Sequence, residues 1–110
     1  MKRLLTIALA MLTLSVAIPA IAQAITRTEA ATIAVKEAHS LASCGQGGWR
    51  CTGTLWNLLG PQGGSIQWVA GVIVYRDGHG NETCYVSMEI GPYGGIHNPH
   101  ISCGPSGGQG

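Results

Sequence analysis

Charge is scarce in this chain of 110 residues: six Lys and Arg stand against five Asp and Glu, and no stretch gathers either sign. A nucleic-acid binder needs a dense basic patch and a membrane-surface helix needs a cationic face, so both classes are excluded. There is no C-x-x-C pair for thiol redox chemistry and no HExxH helix for zinc. No serine sits in a nucleophile elbow, and the single Asp, Asp77, falls in a turn where it could not orient a catalytic base. These absences leave no catalytic constellation and imply no cofactor. Glycine is missing from the first 44 residues, and all 17 glycines lie at or after Gly45. The chain therefore divides into a glycine-free N-terminal part and a Gly-rich remainder, without internal repeats.

The N-terminal part begins with a basic Met1-Lys2-Arg3, an apolar run from Leu4 to Ile18, Pro19, and the small residues of Ala22-Gln23-Ala24. This pattern predicts a secretory signal peptide over residues 1–24, cut after Ala24, with Ala20-Ile21-Ala22 as a nearby alternative. The apolar run is shorter than the ~20 residues of a spanning helix. No Cys stands at the cleavage region to accept a lipid, so the mature chain is expected to have no membrane attachment. The short Lys-Arg start reads as bacterial, and the expected destination is the periplasm or the medium. Loss of Lys2 and Arg3 takes the formal charge from +1 to −1. The remainder is short enough for one small domain, expected over residues 25–103, followed by a disordered Gly-rich tail over residues 104–110.

From Ile25 to Ala42 the sequence ITRTEAATIAVKEAHSLA predicts a helix. Thr26 and Glu29 stand at capping-box spacing, which starts the helix near Thr26. At 100° per residue Ala30, Ala31, Ile33, Ala34, Val35, Ala38, Leu41 and Ala42 share one arc, with Thr32, Lys36, His39 and Ser40 opposite. Glu37 falls within the apolar arc and is expected at its edge, reaching for water. Gly45 is the expected stop.

The stretch from Gln67 to Ile90, QWVAGVIVYRDGHGNETCYVSMEI, reads as two strands joined by a Gly-rich turn. Trp68, Ala70, Val72 and Val74 share one face of the first strand, and Cys84, Val86, Met88 and Ile90 one face of the second. For both apolar faces to lie on one side, the connection must hold an odd number of residues, which Asp77 to Asn81 or Gly78 to Gly80 supplies. Val74 then pairs with Cys84, Val72 with Val86, Ala70 with Met88, and Trp68 with Ile90. A further strand is expected over Thr52 to Leu59, with Trp56 and Leu58 on one face. Beyond Ile90 the Gly and Pro content argues against regular structure other than a short strand near Ile101. The fold class is thus α+β, one N-terminal helix on an antiparallel sheet of three to four strands.

Four cysteines in an exported chain imply two disulfides, and three connectivities are open. Cys44 with Cys51 closes a short loop, and Cys84 with Cys103 pins the tail; this is the expected pairing. Against it, Cys84 lies on the core face, where Cys44 at the helix end is also placed.

The segment TRTEAATIAVKEA followed by WVAGVIVYRDGHGNETCYVSMEIGPYGGI resembles the PepSY-like and wider cystatin-like families, in which a helix with a Ser/Thr cap and EA-type residues packs on a sheet. The similarity spans Thr26 to Ile96. The cysteine pairs, the Gly-rich insert before Trp49 and Gly91-Pro92-Tyr93-Gly94 depart from the family pattern. The resemblance implies a non-catalytic module of the cell envelope that binds or restrains another protein, often a hydrolase. It transfers no site residues.

Two surfaces could carry function. His97 and His100, with His79 from the hairpin turn, are the candidate metal ligands, although Pro99 excludes a regular helix there. The other candidate is the hairpin's second face, with Val69, Ile73, Tyr75 and Tyr85. Ile73 and Tyr85 oppose each other across the strands, and an open aromatic face of this kind suits a protein interface. Trp49, in the Gly-rich loop, is a further candidate anchor. The expected partner is a protein of the envelope or the extracellular space.

Overall fold

The computed structural model describes residues 23–106. Nearly all of the expected signal peptide, residues 1–22, and the end of the tail, residues 107–110, lie outside them. One helix, α1 (Arg27–Leu41), is followed by strands β1 (Arg50–Leu59), β2 (Trp68–Asp77), β3 (Glu82–Ile90) and β4 (Ile96–Pro105). The strands form an antiparallel sheet in the order β1-β2-β3-β4, and α1 packs across one face of it. No helix among the described residues is long and apolar enough to cross a membrane.

The helix starts where its capping box places it. Thr26 Oγ1 accepts from the Glu29 amide at 3.2 Å, while the Thr26 amide donates to Glu29 Oε1 at 2.8 Å. Two orphan donors are satisfied in one exchange. Its buried stripe consists of alanine alone: Ala30, Ala34, Ala38 and the C-cap Ala42. Side chains this small let the helix axis approach the sheet closely. The chain leaves the helix earlier than Gly45, because Ser43 already takes the left-handed conformation at φ 58°. Glu37 is half-buried.

His39 departs from its expected place on the polar side. It is half-buried and lies over Gly53 of β1, where a Cβ would stand 2.4 Å from Nε2. That nitrogen is buried and has no hydrogen-bond partner. The glycine gives the ring a seat on the core side of an edge strand, so the helix covers more of the sheet than its 100° pattern suggests.

The central hairpin has the derived register. Val74 pairs with Cys84, Val72 with Val86, Ala70 with Met88 and Trp68 with Ile90, and the five residues 77–81 connect Arg76 to Glu82. All eight inward residues are at most 3 % exposed. Trp68 closes one end of this core under the Arg27 guanidinium, 5.4 Å from the ring. Arg27 is held there by donating to the carbonyls of Leu58 and Gly60, each at 3.0 Å.

β1 and β4 differ from expectation, and irregular register explains both. In β1 Trp56 and Leu58 do not share a face. A bulge between Leu55 and Asn57 inserts Trp56 as an extra residue, so that Leu55 opposite Val72 and Leu58 opposite Ala70 both turn toward the core. Two inward residues of opposite parity require such an insertion. In β4 the segment read as largely irregular is a ten-residue strand, and Gly104 and Pro105, assigned to the tail, are its last residues. It accommodates its proline as an edge strand can, with Pro99 in the irregular stretch between His97 and His100.

Both disulfides have the expected partners, Cys44–Cys51 and Cys84–Cys103. Cys103 does not reach around the sheet. It stands directly opposite Cys84 on the neighbouring strand, with the Cα atoms 4.0 Å apart. Two such bridges in a small domain suit an oxidising extracellular compartment.

Candidate functional site

The helix covers one face of the sheet, and the other is left without a covering layer among the described residues. The period-2 rule sends Val69, Gly71, Ile73 and Tyr75 of β2 and Thr83, Tyr85, Ser87 and Glu89 of β3 to this outer face. Val69 and Ile73 are half-buried between neighbouring strands, while Tyr75 is 51 % and Tyr85 59 % exposed. Ile73 is directly opposite Tyr85, and Tyr75 opposite Thr83. Thr83 is buried between its neighbours. Four of the five residues expected to form a binding surface are therefore brought together.

The fifth, Trp49, is elsewhere. It lies at the end of the helix-bearing side, where the Arg76 guanidinium stacks 4.1 Å from its ring centroid and His79 meets it edge-on at 4.9 Å. Arg76 also donates to Glu82 Oε1 at 2.7 and 3.0 Å and to the Ala42 carbonyl at 2.6 Å. One side chain thus ties the helix end, the hairpin and the 44–51 disulfide loop together. His79 Nε2 contacts the Gly47 carbonyl, which fastens the hairpin tip to the same loop. Trp49 is a half-buried part of this clasp, an element of structure and not an exposed anchor.

The clasp also separates the histidines. His79 is at the hairpin tip, whereas His97 and His100 stand on β4 opposite Glu89 and Ser87. Among the described residues the one group of three potential ligands within mutual reach is Glu82, Cys84 and Cys103, and those two sulfurs are bonded to each other. The structure does not assemble a three-histidine site. Asp77 is paired with Arg50 at 3.0 Å on the exposed outer rim and orients no base.

Sequence periodicity missed the largest residue of the outer face. Trp56 is 71 % exposed, and its indole lies against Gly71 of β2, where a Cβ would stand 3.2 Å from Cε3. Only glycine at position 71 lets the indole settle on the sheet without displacement. Trp56 on β1 and Tyr85 on β3 form two sides of a cleft of about 200 Å³, whose other lining includes Ile73, His100 and Ser102. Leu59, opposite Val69, extends the apolar surface toward one end of the sheet. The signal that could have revealed Trp56 is the pair Leu55 and Leu58, since an apolar spacing of three within a strand demands a bulge between them.

The outer face holds few charges. Arg50 and Asp77 neutralise each other at one end, and Glu89 accepts from Asn98 Nδ2 at 2.7 Å near the other. Between them the surface is aromatic, aliphatic and hydroxyl-bearing. Such a surface can hold an uncharged, partly apolar group by contact and by hydrogen bonds to its ring and hydroxyl groups. In comparisons with protein-family models, curated proteins and solved structures, nothing matches this chain.

Proposed function

We propose that this chain is an exported, non-catalytic module that binds a protein partner through the outer face of its sheet, in the periplasm or outside the cell. The observation that carries the reading is the uncovered aromatic face itself: Trp56, Tyr75 and Tyr85 are all more than half exposed on a sheet whose two central strands are buried on the opposite face beneath the helix. A contiguous exposed apolar patch marks an interaction surface more often than chance, and Trp and Tyr concentrate at the energetic centre of interfaces. Two disulfides and the Arg76 clasp brace the sheet, so little ordering entropy opposes docking. The resemblance to PepSY-like and cystatin-like domains points the same way, toward a module that restrains another protein, with a hydrolase as the first class of partner to examine.

The test is site-directed photo-crosslinking in the native envelope. A photoreactive residue at Tyr75 is expected to capture a defined protein partner, and the same residue at Lys36, on the exposed side of the helix, is expected not to. Capture from Lys36 alone would place the interface on the helix and overturn the reading.

A further inference from the structure

The sheet has two edges, and they are not equivalent. We propose that the β1 edge pairs antiparallel with the β1 edge of a second copy of this chain, about a dyad through Gly53, so that two sheets join into one. The outer face stays open in the joined sheet.

The direction of the backbone groups is the first ground. In an antiparallel ladder successive residues turn their N–H and C=O alternately to the two sides. The Ser106 amide donates to the Asn81 carbonyl at 3.1 Å, which points the odd residues at the start of β3 toward β4 and the even ones toward β2. Carried through the registers, Arg50, Thr52 and Thr54 bond to β2, whereas Cys51, Gly53 and Leu55 turn their groups outward. Two outward carbonyls agree with this phase and bound the open stretch: that of Trp49 accepts from the Gly45 amide and that of Leu58 from Arg27, each at 3.0 Å. Between these bounds β1 has a neighbouring strand on one side only, and no other backbone bond reaches Cys51, Gly53 or Leu55 among the described residues. A row of alternating donors and acceptors is the template for one more strand.

The β4 edge is closed to the same use. Pro99 has no N–H, Asn98 beside it takes φ 51°, and the register shifts between Ser87 and Glu89 opposite them. Proline, charge and irregular register are how edges avoid pairing. The 51–55 stretch of β1 holds neither a proline nor a charge, so two copies meet there without like-charge repulsion.

Self-complementarity names the occupant. The open stretch is centred on Gly53, and a dyad there sets Gly53 opposite its own copy, Cys51 opposite Leu55 and Thr52 opposite Thr54. Every pair joins residues of one parity, so both helices lie on the same side of the joined sheet. About six backbone hydrogen bonds form across the seam. Thr52 and Thr54 are exposed on the outer side, where threonines opposed across strands make a favourable pair. Arg50 comes opposite Trp56 of the second copy, a cation beside an exposed indole. On the inner side Val35 and His39 lie over Gly53, and with Ala31, Thr32 and Lys36 they line an open depression of about 530 Å³ along the flank of α1. The dyad sets this flank against its counterpart, adding side-chain burial to the backbone bonds. An unrelated extended segment would find the same backbone row without these matched pairs.

The test is sedimentation equilibrium of the purified, disulfide-bonded chain across protein concentration, with amide hydrogen exchange followed residue by residue by NMR. A monomer–dimer equilibrium is expected, in which the amides of Gly53 and Leu55 gain protection as concentration rises and those of Ile101 and Cys103 on β4 do not. Thr52→Lys combined with Thr54→Lys puts like charges opposite each other at exposed positions, and is expected to weaken dimerisation about tenfold or more with the fold intact by circular dichroism. Thr52→Glu combined with Thr54→Glu is expected to weaken it likewise, and an equimolar mixture of the two double variants to restore it, because opposite charges then meet across the seam. A chain that stays monomeric up to about 1 mM, protection gained on β4 instead of β1, double variants that dimerise as the parent does, or a mixture that fails to recover overturns the inference. The outer docking face stands or falls separately, by crosslinking from Tyr75.

Discussion

The same two strands build the inner and the outer face of this sheet, and the two faces have opposite fates. On the inner side Val72, Val74, Val86 and Met88 lie under an alanine stripe and are sealed from water. On the outer side Ile73, Tyr75 and Tyr85 alternate with them one residue away and meet no second layer among the described residues. The difference is one of supply. A single helix of 15 residues can cover one face only, and the outer face persists because its large residues are amphipathic, with a ring that packs on the strand and a polar tip that stays hydrated. The inner face is read as stability, and the outer face as binding.

That division is broken most forcefully from the inside. Met88→Ala removes a fully buried side chain from beneath the helix and is expected to cost about 2–5 kcal/mol, measured by urea unfolding with the midpoint shifted and the slope unchanged. The clasp that seals the end of the inner face comes next. Arg76→Gln removes charge-assisted bonds to Glu82 and to the Ala42 carbonyl together with the stack on Trp49. The expected loss is about 1.5–3 kcal/mol. Hydrogen exchange is expected to quicken first in the 44–51 loop and the hairpin tip. Protection of those segments in the variant would show that the disulfide alone holds them.

A subtler probe enlarges where the others truncate. Ala34→Leu adds volume at the centre of the helix stripe, where exposure is nil, and must push the helix from the sheet. Overpacking of this kind costs about 1–3 kcal/mol. The thermal midpoint checks it, and an unchanged midpoint would mean that the helix rides loosely on the strands.

What the sequence made legible follows from which physical rules are local. The capping box of Thr26 and Glu29 and the odd-numbered turn between β2 and β3 are fixed by neighbours a few residues away, and both stand as expected. The pairing of Cys84 with Cys103 looked awkward only because β4 was hidden: Gly and Pro lower strand propensity, yet an edge strand needs few ladder bonds and tolerates Pro99 and Pro105. Trp56 escaped because a bulge resets the alternation, and nothing at positions 52 to 59 marks the insertion except two leucines at the wrong spacing. His39 was placed opposite the core by helical phase, and the absence of a side chain at Gly53, 14 positions downstream, brought it in. The outer aromatic face was legible in part, through the parity of Val69, Ile73, Tyr75 and Tyr85; the cleft within it was not, since it needs the one residue that breaks parity.

The smallest expected effect on stability is the sharpest test of the comparison. Tyr85→Thr keeps a β-favouring residue opposite Ile73 and removes a ring that is 59 % exposed. The loss is then confined to one cross-strand contact, about 0.2–1 kcal/mol, well below that of Met88→Ala three residues along the same strand on the other face. Binding should move in the opposite proportion, because a ring that contributes little to folding contributes most when a partner buries it. Photo-crosslinking from Tyr75 in the Tyr85→Thr background measures that directly, with capture expected to fall at least about tenfold. A variant that unfolds as readily as Met88→Ala would show that the ring holds the sheet together, and the outer face would then belong to the fold and not to a partner.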